Sequence, residues 1–284
     1  MNWQTRDIAP GLYLVATPLG NARDITLRAL DVLASADVLA AEDTRTLRRL
    51  MDIHGVPVGD RPLVPYHDHN GERARPRLMA ALAEGQSVAY ASEAGTPLIS
   101  DPGFDLMRAA LAEGIACTTA PGPTAVVAAL TLSGLPSDRF FFAGFLPNSA
   151  SKRKKMLAEV SDVPATLVFY ESPKRLGAML RDAAEVLGDR DAVVCRELTK
   201  KFEERYAGRL SDLSKRYSDT PPKGEIVVVI DRGADAQADQ ATLDAALGDA
   251  LKRLSVKDAA TEVAQKYGIS RRDAYQRAMA LGEN

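Results

Sequence analysis

Short apolar runs alternate with longer stretches of helical period over roughly the first 120 residues. Leu12 to Ala16, Val38 to Ala41, Leu63 to Tyr66, Val88 to Ala91 and Ile115 to Ala120 read as strands, being brief, apolar and bounded by turn residues. Between them, Leu27 to Ala34, Arg45 to Ile53, Arg75 to Ala83 and Asp105 to Ala112 space their apolar side chains three and four apart, as in Leu27/Leu30/Leu33 and Leu47/Leu50/Met51. This alternation predicts an α/β domain around a mainly parallel sheet. Three Pro/Gly turns punctuate it: Thr17-Pro18-Leu19-Gly20-Asn21, Glu93-Ala94-Gly95-Thr96-Pro97 and Pro121-Gly122-Pro123-Thr124. Each follows a strand and leads into a helical stretch, so all three are expected at the carboxyl edge of the sheet, where ligands bind. Any one of them would pass for an ordinary strand-to-helix turn; three together point to one cradle that reads its ligand with main-chain groups. The first turn lacks G-x-G-x-x-G, which argues against a nicotinamide dinucleotide.

A second unit follows, with strands near Phe140 to Phe145, Thr166 to Tyr170, Ala192 to Arg196, Glu203 to Leu210 and Glu225 to Ile230. Its later strands are too closely spaced for crossover helices, which predicts a mixed sheet. Residues 233–240 are small and polar and read as a linker. Beyond them, two helical patterns flank Gly268-Ile269, with Ser270 placed to cap the second and Arg271 and Arg272 opening it. That spacing is helix-turn-helix-like, although a small bundle packed on the body would show the same pattern. The expected division is residues 1–122 and 123–232 as two α/β domains with a cleft between them, and residues 241–284 as a helical tail.

Composition narrows the class. Of 284 residues, 46% are apolar, enough to fill two cores, and the longest apolar stretch, Ala125 to Leu132, falls far short of a membrane span. With no leader-like start either, a cytoplasmic protein away from membranes is expected. Cys117 and Cys195 both fall in strands and read as small core residues. The three histidines, His54, His67 and His69, do not make a metal site, so no metal is expected. A formal net charge of -2 argues against a uniformly basic coat, yet Lys152-Arg153-Lys154-Lys155 and Arg73/Arg75/Arg77 are dense clusters. They suit phosphates or are simply solvated faces.

The ordered motifs Tyr13-Leu14-Val15-Ala16-Thr17-Pro18-Leu19-Gly20-Asn21, Ala41-Glu42-Asp43-Thr44-Arg45, His67-Asp68-His69-Asn70, Ala94-Gly95-Thr96-Pro97-Leu98-Ile99-Ser100-Asp101-Pro102-Gly103, Pro121-Gly122-Pro123-Thr124, Gly134 to Phe140, Phe169-Tyr170-Glu171-Ser172 and Arg196-Glu197-Leu198-Thr199-Lys200 together resemble the ribosomal RNA small subunit methyltransferase I family of the tetrapyrrole methylase superfamily. The resemblance implies methyl transfer from S-adenosylmethionine to the ribose 2′-oxygen of a cytidine in the decoding region of 16S rRNA, on free rRNA or the small subunit, by a homodimer. It also places Leu19, Gly20, Thr96, Ile99, Thr124 and Ala125 along the methionine and ribose of the cofactor, near Gly95, and Phe169, Tyr170, Gly224 and Glu225 near its adenine. The family usually carries Ser-Asp-Ala-Gly-Thr-Pro; here Ser92-Glu93 lengthens the acid by one methylene.

A sulfonium donor is already activated, whereas a ribose hydroxyl needs help to lose its proton. Candidates for that help are Glu42, Asp43, Glu93 and Lys200, with Arg45 positioned to balance the Glu42-Asp43 pair. The same two acids also suit the start of the next helix. His67 and His69, two apart at a strand end and so on one face, are candidate RNA contacts together with Arg45, Lys152, Arg153, Arg271 and Arg272. Two other readings share the cradle: a small-molecule tetrapyrrole methylase, which has no need of the tail, and a metabolite-sensing nucleic-acid-binding regulator, which has no need of the acids.

Overall fold

The computed structural model describes residues 2–218, 220–233, 240–267 and 269–282. The first half winds β1 (Gly11–Val15), α1 (Leu27–Ser35), β2 (Val38–Ala41), α2 (Thr44–Ile53), β3 (Leu63–Pro65), α3 (Gly71–Ala83), β4 (Ser87–Ala91), α4 (Phe104–Ala112) and β5 (Cys117–Ala120) into a parallel sheet of order β3-β2-β4-β1-β5. All five residues of β4 are buried, as a central strand covered on both faces requires. Leu30, Leu33, Leu47 and Met51 of α1 and α2 fill one face, and Leu78 of α3 and Leu106 of α4 the other. Leu27 is the exception to its periodic set, standing 63% exposed in the first turn of α1 while Thr26 caps that helix through Ala29 N–H.

The largest difference from the sequence reading at a helix boundary is in α3. α3 begins at Gly71, four residues before Arg75, and carries Pro76 inside it. The Asn70 carbonyl accepts from Arg73 and Ala74 N–H and so starts the helix early, and Pro76, its sixth residue, forgoes the hydrogen bond that an N–H there would give to the Glu72 carbonyl.

The chain passes to a second sheet at the third Pro/Gly turn. α5 (Ala125–Ser133) and β6 (Phe140–Phe145) are followed by α6 (Ala150–Glu159), β7 (Thr166–Glu171), α7 (Leu176–Leu187), β8 (Asp191–Arg196), β9 (Glu204–Arg209), α8 (Leu210–Arg216) and β10 (Ile226–Ile230). The sheet is mixed, as its spacing predicts: order β6-β7-β10-β8-β9, with β6 and β7 parallel and the remaining pairs antiparallel. Val126, Ala129 and Leu130 of α5 cover one face of it, while α6, α7 and α8 cover the other through Leu157, Leu180 and Leu213.

The expected linker lies, from 234 to 239, outside the described residues, as does Gly268. The tail forms α9 (Gln240–Leu251), α10 (Val256–Tyr267) and α11 (Arg271–Gly282) around a small core of its own that includes Leu247, Val263 and Ala274. Ser270 caps α11 as expected, its hydroxyl accepting Arg272 N–H at 3.2 Å.

Candidate functional site

The three turns meet. Thr17 and Gly95 exchange backbone hydrogen bonds at 2.9 Å in both directions, Ser92 Oγ donates to the Gly95 carbonyl at 2.6 Å, and Thr96 Oγ1 donates to the Pro123 carbonyl at 3.0 Å. Gly95 has φ +83°, and a Cβ there would stand 3.2 Å from the Leu19 side chain, so the cradle closes only around a glycine. Between this edge and the second sheet opens a cleft of about 780 Å³, in the range of small-molecule sites.

Of the residues expected to hold a cofactor, Leu19, Gly20, Gly95, Thr96, Ile99, Thr124, Ala125, Tyr170, Gly224 and Glu225 line this cleft. Phe169 does not. Neighbours on a strand face opposite ways, so Phe169 is fully buried with Leu167 and Val194 under α7, while Tyr170 points to the cleft against Phe142 and Phe145 at 4.8 and 5.5 Å between ring centres.

The acids separate in the same way. Glu42 and Glu93 line the cleft; Asp43 does not. Asp43 is the N-cap of α2, accepting the side chain and the backbone N–H of Arg45 and the N–H of Thr46, and these bonds hold its carboxyl down at about 2. Arg45 is therefore spent on Asp43 at 2.9 Å rather than balancing Glu42, and is otherwise exposed. Glu42 is pushed up instead, by burial first and by Glu93 second.

Lys200 pairs instead with acids of the opposite wall. Its ammonium lies 3.0 Å from both Glu197 and Glu225, and its stem packs over Gly20. Burial alone would depress its pKa, but the hydrogen bonds to Glu197 and Glu225 outweigh that and raise it, so it remains a paired cation beside the Gly224–Glu225 wall.

Among the expected RNA contacts, Arg153 is the clear correction. It is buried, its guanidinium 2.6 Å from the equally buried Asp182, and it also donates to the Pro147 and Asn148 carbonyls, so it holds α6 to α7 and the preceding loop. Lys152 beside it is exposed, as are Arg271 and Arg272. His67 and His69 do come together, ring centres 6.1 Å apart, but not by strand alternation: β3 ends at Pro65, and a turn closed by Asn70 Oδ1 on His67 N–H brings the rings round. They line a second cavity, of about 510 Å³.

The residue that sequence reasoning passed over is Asp101. It lines both cavities, half-buried, and its carboxyl is pushed up to about 7 by burial first and then by Glu42, Glu93 and Asp68, with no cation among its influences. The sequence showed only a Ser100-Asp101-Pro102-Gly103 turn; the structure adds that Leu98 and Ser100 adopt left-handed φ of 71° and 62°, strain that a loop retains where geometry matters. The arrangement thus offers a main-chain cradle, an aromatic wall and a recessed carboxylate able to accept a proton near neutral pH. Among the described residues no group of His, Cys, Asp and Glu is set to hold a metal ion, and no helix is long and apolar enough to cross a membrane.

Comparison with known proteins places this geometry in a family. Residues 11–214 match the profile of the Tetrapyrrole (Corrin/Porphyrin) Methylases, and residues 237–282 that of the RsmI C-terminal HTH domain. The chain is 49% identical over 280 residues to a protein of Mesorhizobium japonicum named Ribosomal RNA small subunit methyltransferase I, covering 97% of this chain and 94% of that one. It is 40% identical to the protein of the same name from Escherichia coli O157:H7, covering 97% of each. Among solved structures, a cobalt precorrin-4 methyltransferase shares the fold at TM-score 0.59 and 17% identity over 78% of this chain and 94% of that one. A Thermus thermophilus uroporphyrin-III C-methyl transferase complexed with S-adenyl homocysteine does so at 0.54 and 20% over 77% and 96%. With a main-chain cradle between two α/β sheets, a profile match over most of its length and relatives alike from end to end, the chain belongs to the tetrapyrrole (corrin/porphyrin) methylase family, among its ribosomal RNA small subunit methyltransferase I members.

Proposed function

We propose that the protein transfers a methyl group from S-adenosylmethionine to the ribose 2′-oxygen of a cytidine in the decoding region of 16S rRNA, in the cytoplasm and as a homodimer. The observation that carries this reading is the juxtaposition of a glycine-shaped cradle with carboxylates, Glu42, Glu93 and Asp101, that form no direct ion pair among the described residues. The cradle fits the cofactor: Gly95, Thr96 and Thr124 leave main-chain and hydroxyl groups open to its amino-acid and ribose parts, and Tyr170 with Gly224 offers an adenine a flat apolar wall. When bound, the cofactor supplies a methyl group already activated on its sulfonium. The chain's own residues supply position and a proton acceptor, with burial first and then Glu42 and Glu93 keeping Asp101 close to its working range.

RNA as acceptor is supported by the names of the relatives and by the tail, whose α11 opens on exposed Arg271 and Arg272. A second copy is supported by edge strand β6, where Phe140 and Phe141 stand 46 and 41% exposed. Incubation with tritiated S-adenosylmethionine and unmethylated small ribosomal subunits should label 16S rRNA at one cytidine ribose. Label in a tetrapyrrole instead, or in neither, would overturn the reading. Gly95→Val should weaken S-adenosylmethionine binding in calorimetry by about 10-fold or more, since the left-handed φ alone costs a residue with a Cβ roughly 1–2 kcal/mol.

A further inference from the structure

α11 has two unlike faces. Ala274 and Ala278 are buried in the core of the tail with Leu247 of α9 and Val263 of α10, and Arg277 on the same side is tied to Asp244 of α9 at 2.5 Å. A helix advances about 100° per residue, so Arg271, Tyr275, Met279 and Arg272 share the opposite face within about one third of its circumference. All four are exposed, Tyr275 by 43% and Met279 by 41%, and Asp273, the one acid of α11, falls outside that arc. Within the tail Lys252 is neutralised by Asp249, Arg253 by Glu262 and Arg277 by Asp244. Arg271 and Arg272, like Lys257 in the first turn of α10, form no ion pair among the described residues, so free positive charge lies where these two helices begin. Cations there oppose the helix dipole, a placement that folding disfavours and a bound anion reverses.

We propose that this face of α11 binds an unpaired stretch of RNA, one base stacking on the Tyr275 ring beside the Met279 thioether and the flanking phosphates lying on Arg271 and Arg272. The inference rests on the rRNA methyltransferase reading and adds to it a second grip on the RNA, made by residues that take no part in the cofactor cleft. A helix-turn-helix reads duplex DNA by laying its second helix in the wide major groove, but the major groove of an RNA duplex is too deep and narrow to admit one. Against such a duplex Tyr275 and Met279 would meet only phosphate and sugar. An unpaired strand instead offers a base to the ring and phosphates to the arginines together. Every base has a π face, so this grip holds the strand and leaves the choice of nucleotide to the cleft.

Fluorescence anisotropy of the full chain with two probes tests the face: a labelled single-stranded RNA of about 12 nucleotides, and the blunt duplex it forms with its complement. Tyr275→Ala should weaken single-strand binding about 10-fold and leave duplex binding unchanged, and Tyr275→Trp should restore it. Arg271→Ala and Arg272→Ala should each reduce the slope of log affinity against log salt by about 0.7. Affinity for S-adenosylmethionine should be equal in all of these proteins. With unmethylated small ribosomal subunits, Tyr275→Ala should raise KM and leave kcat in place. Unchanged single-strand affinity in Tyr275→Ala, or an equal loss for the duplex, would overturn the proposal. So would a raised KM with subunits while both probes bind normally, since that marks a protein contact. Failure of the unaltered enzyme to methylate the subunits would instead remove the functional reading, and probe binding, which needs no methyl transfer, still decides the face.

Discussion

The two walls of the cleft treat charge in opposite ways. On the second sheet each acid near the cleft has a cation: Glu171 faces Arg175 at 3.2 Å, and Glu197 and Glu225 share Lys200. On the parallel sheet, Glu42, Glu93 and Asp101 crowd together with no direct ion pair among the described residues, Arg45 and His67 acting on Glu93 and Glu42 only through space, and both Glu42 and Asp101 are driven upward, by burial first. Against burial, hydrogen bonds and pairing hold Glu197 down, whereas burial still pushes Glu171 up despite Arg175, so the walls differ in ion pairing and not in the direction of every carboxyl. The difference separates the wall that holds a ligand from the wall that acts on it.

The sharpest way to break this comparison is Asp101→Asn. Turnover on the ribosomal substrate should fall by ~10²- to 10⁴-fold, the usual worth of a general base, with calorimetric affinity for S-adenosylmethionine retained. In the unaltered enzyme kcat should rise with pH through about 7 and then level, because the base acts as its anion; Glu42, Glu93, Asp68, Tyr90 and Tyr170 are the ionisable groups coupled to it. The stability sign runs the other way. The folded-state pKa lies above the ordinary 3.8, so the charged form opposes folding increasingly from about pH 4 to pH 7. Asp101→Asn should therefore raise the melting temperature at pH 8 and leave it unchanged near pH 4.

Arg153→Ala tests the opposite class. It strands Asp182 in the core, so chemical denaturation should show a loss of about 3–5 kcal/mol, and the fraction that folds should bind cofactor normally. A smaller effect is expected at Lys200→Ala, where partial exposure screens the pairs: cofactor affinity should drop about 2- to 5-fold and kcat should hardly move. A large loss of kcat would return Lys200 to the reaction and undo the contrast between the walls. Smallest of all is Asp43→Ala, which removes a cap and should lower the melting midpoint by a few degrees without changing turnover, unlike Glu42→Gln one residue away.

These pairs show where sequence stops being informative. Glu42 and Asp43 are adjacent acids after one strand, and their pattern admits both a helix cap and a proton acceptor; the direction in which the chain leaves β2 gave the cap to one and the cleft to the other. Phe169 and Tyr170 divide likewise by strand alternation, whose phase depends on which face of β7 the α7 helix covers. Lys152 and Arg153 form one basic run, yet the turn of α6 sends the first to solvent and the second to Asp182.

Alternating strand and helix, three turns at one sheet edge, a closely spaced and therefore mixed second sheet, and a capped helix in the tail are all local consequences of periodicity, glycine and proline, so the sequence by itself determined them. Whether a charge is paired and how deeply it is buried depends on residues far along the chain and on both sheets at once. For that reason only the tertiary structure decided that Asp101, an aspartate in a Ser-Asp-Pro-Gly turn, stands between two cavities with a carboxyl near 7, and that Lys200 is anchored away from it. Desolvation and Coulomb interaction act through space, and the order of residues does not record that distance.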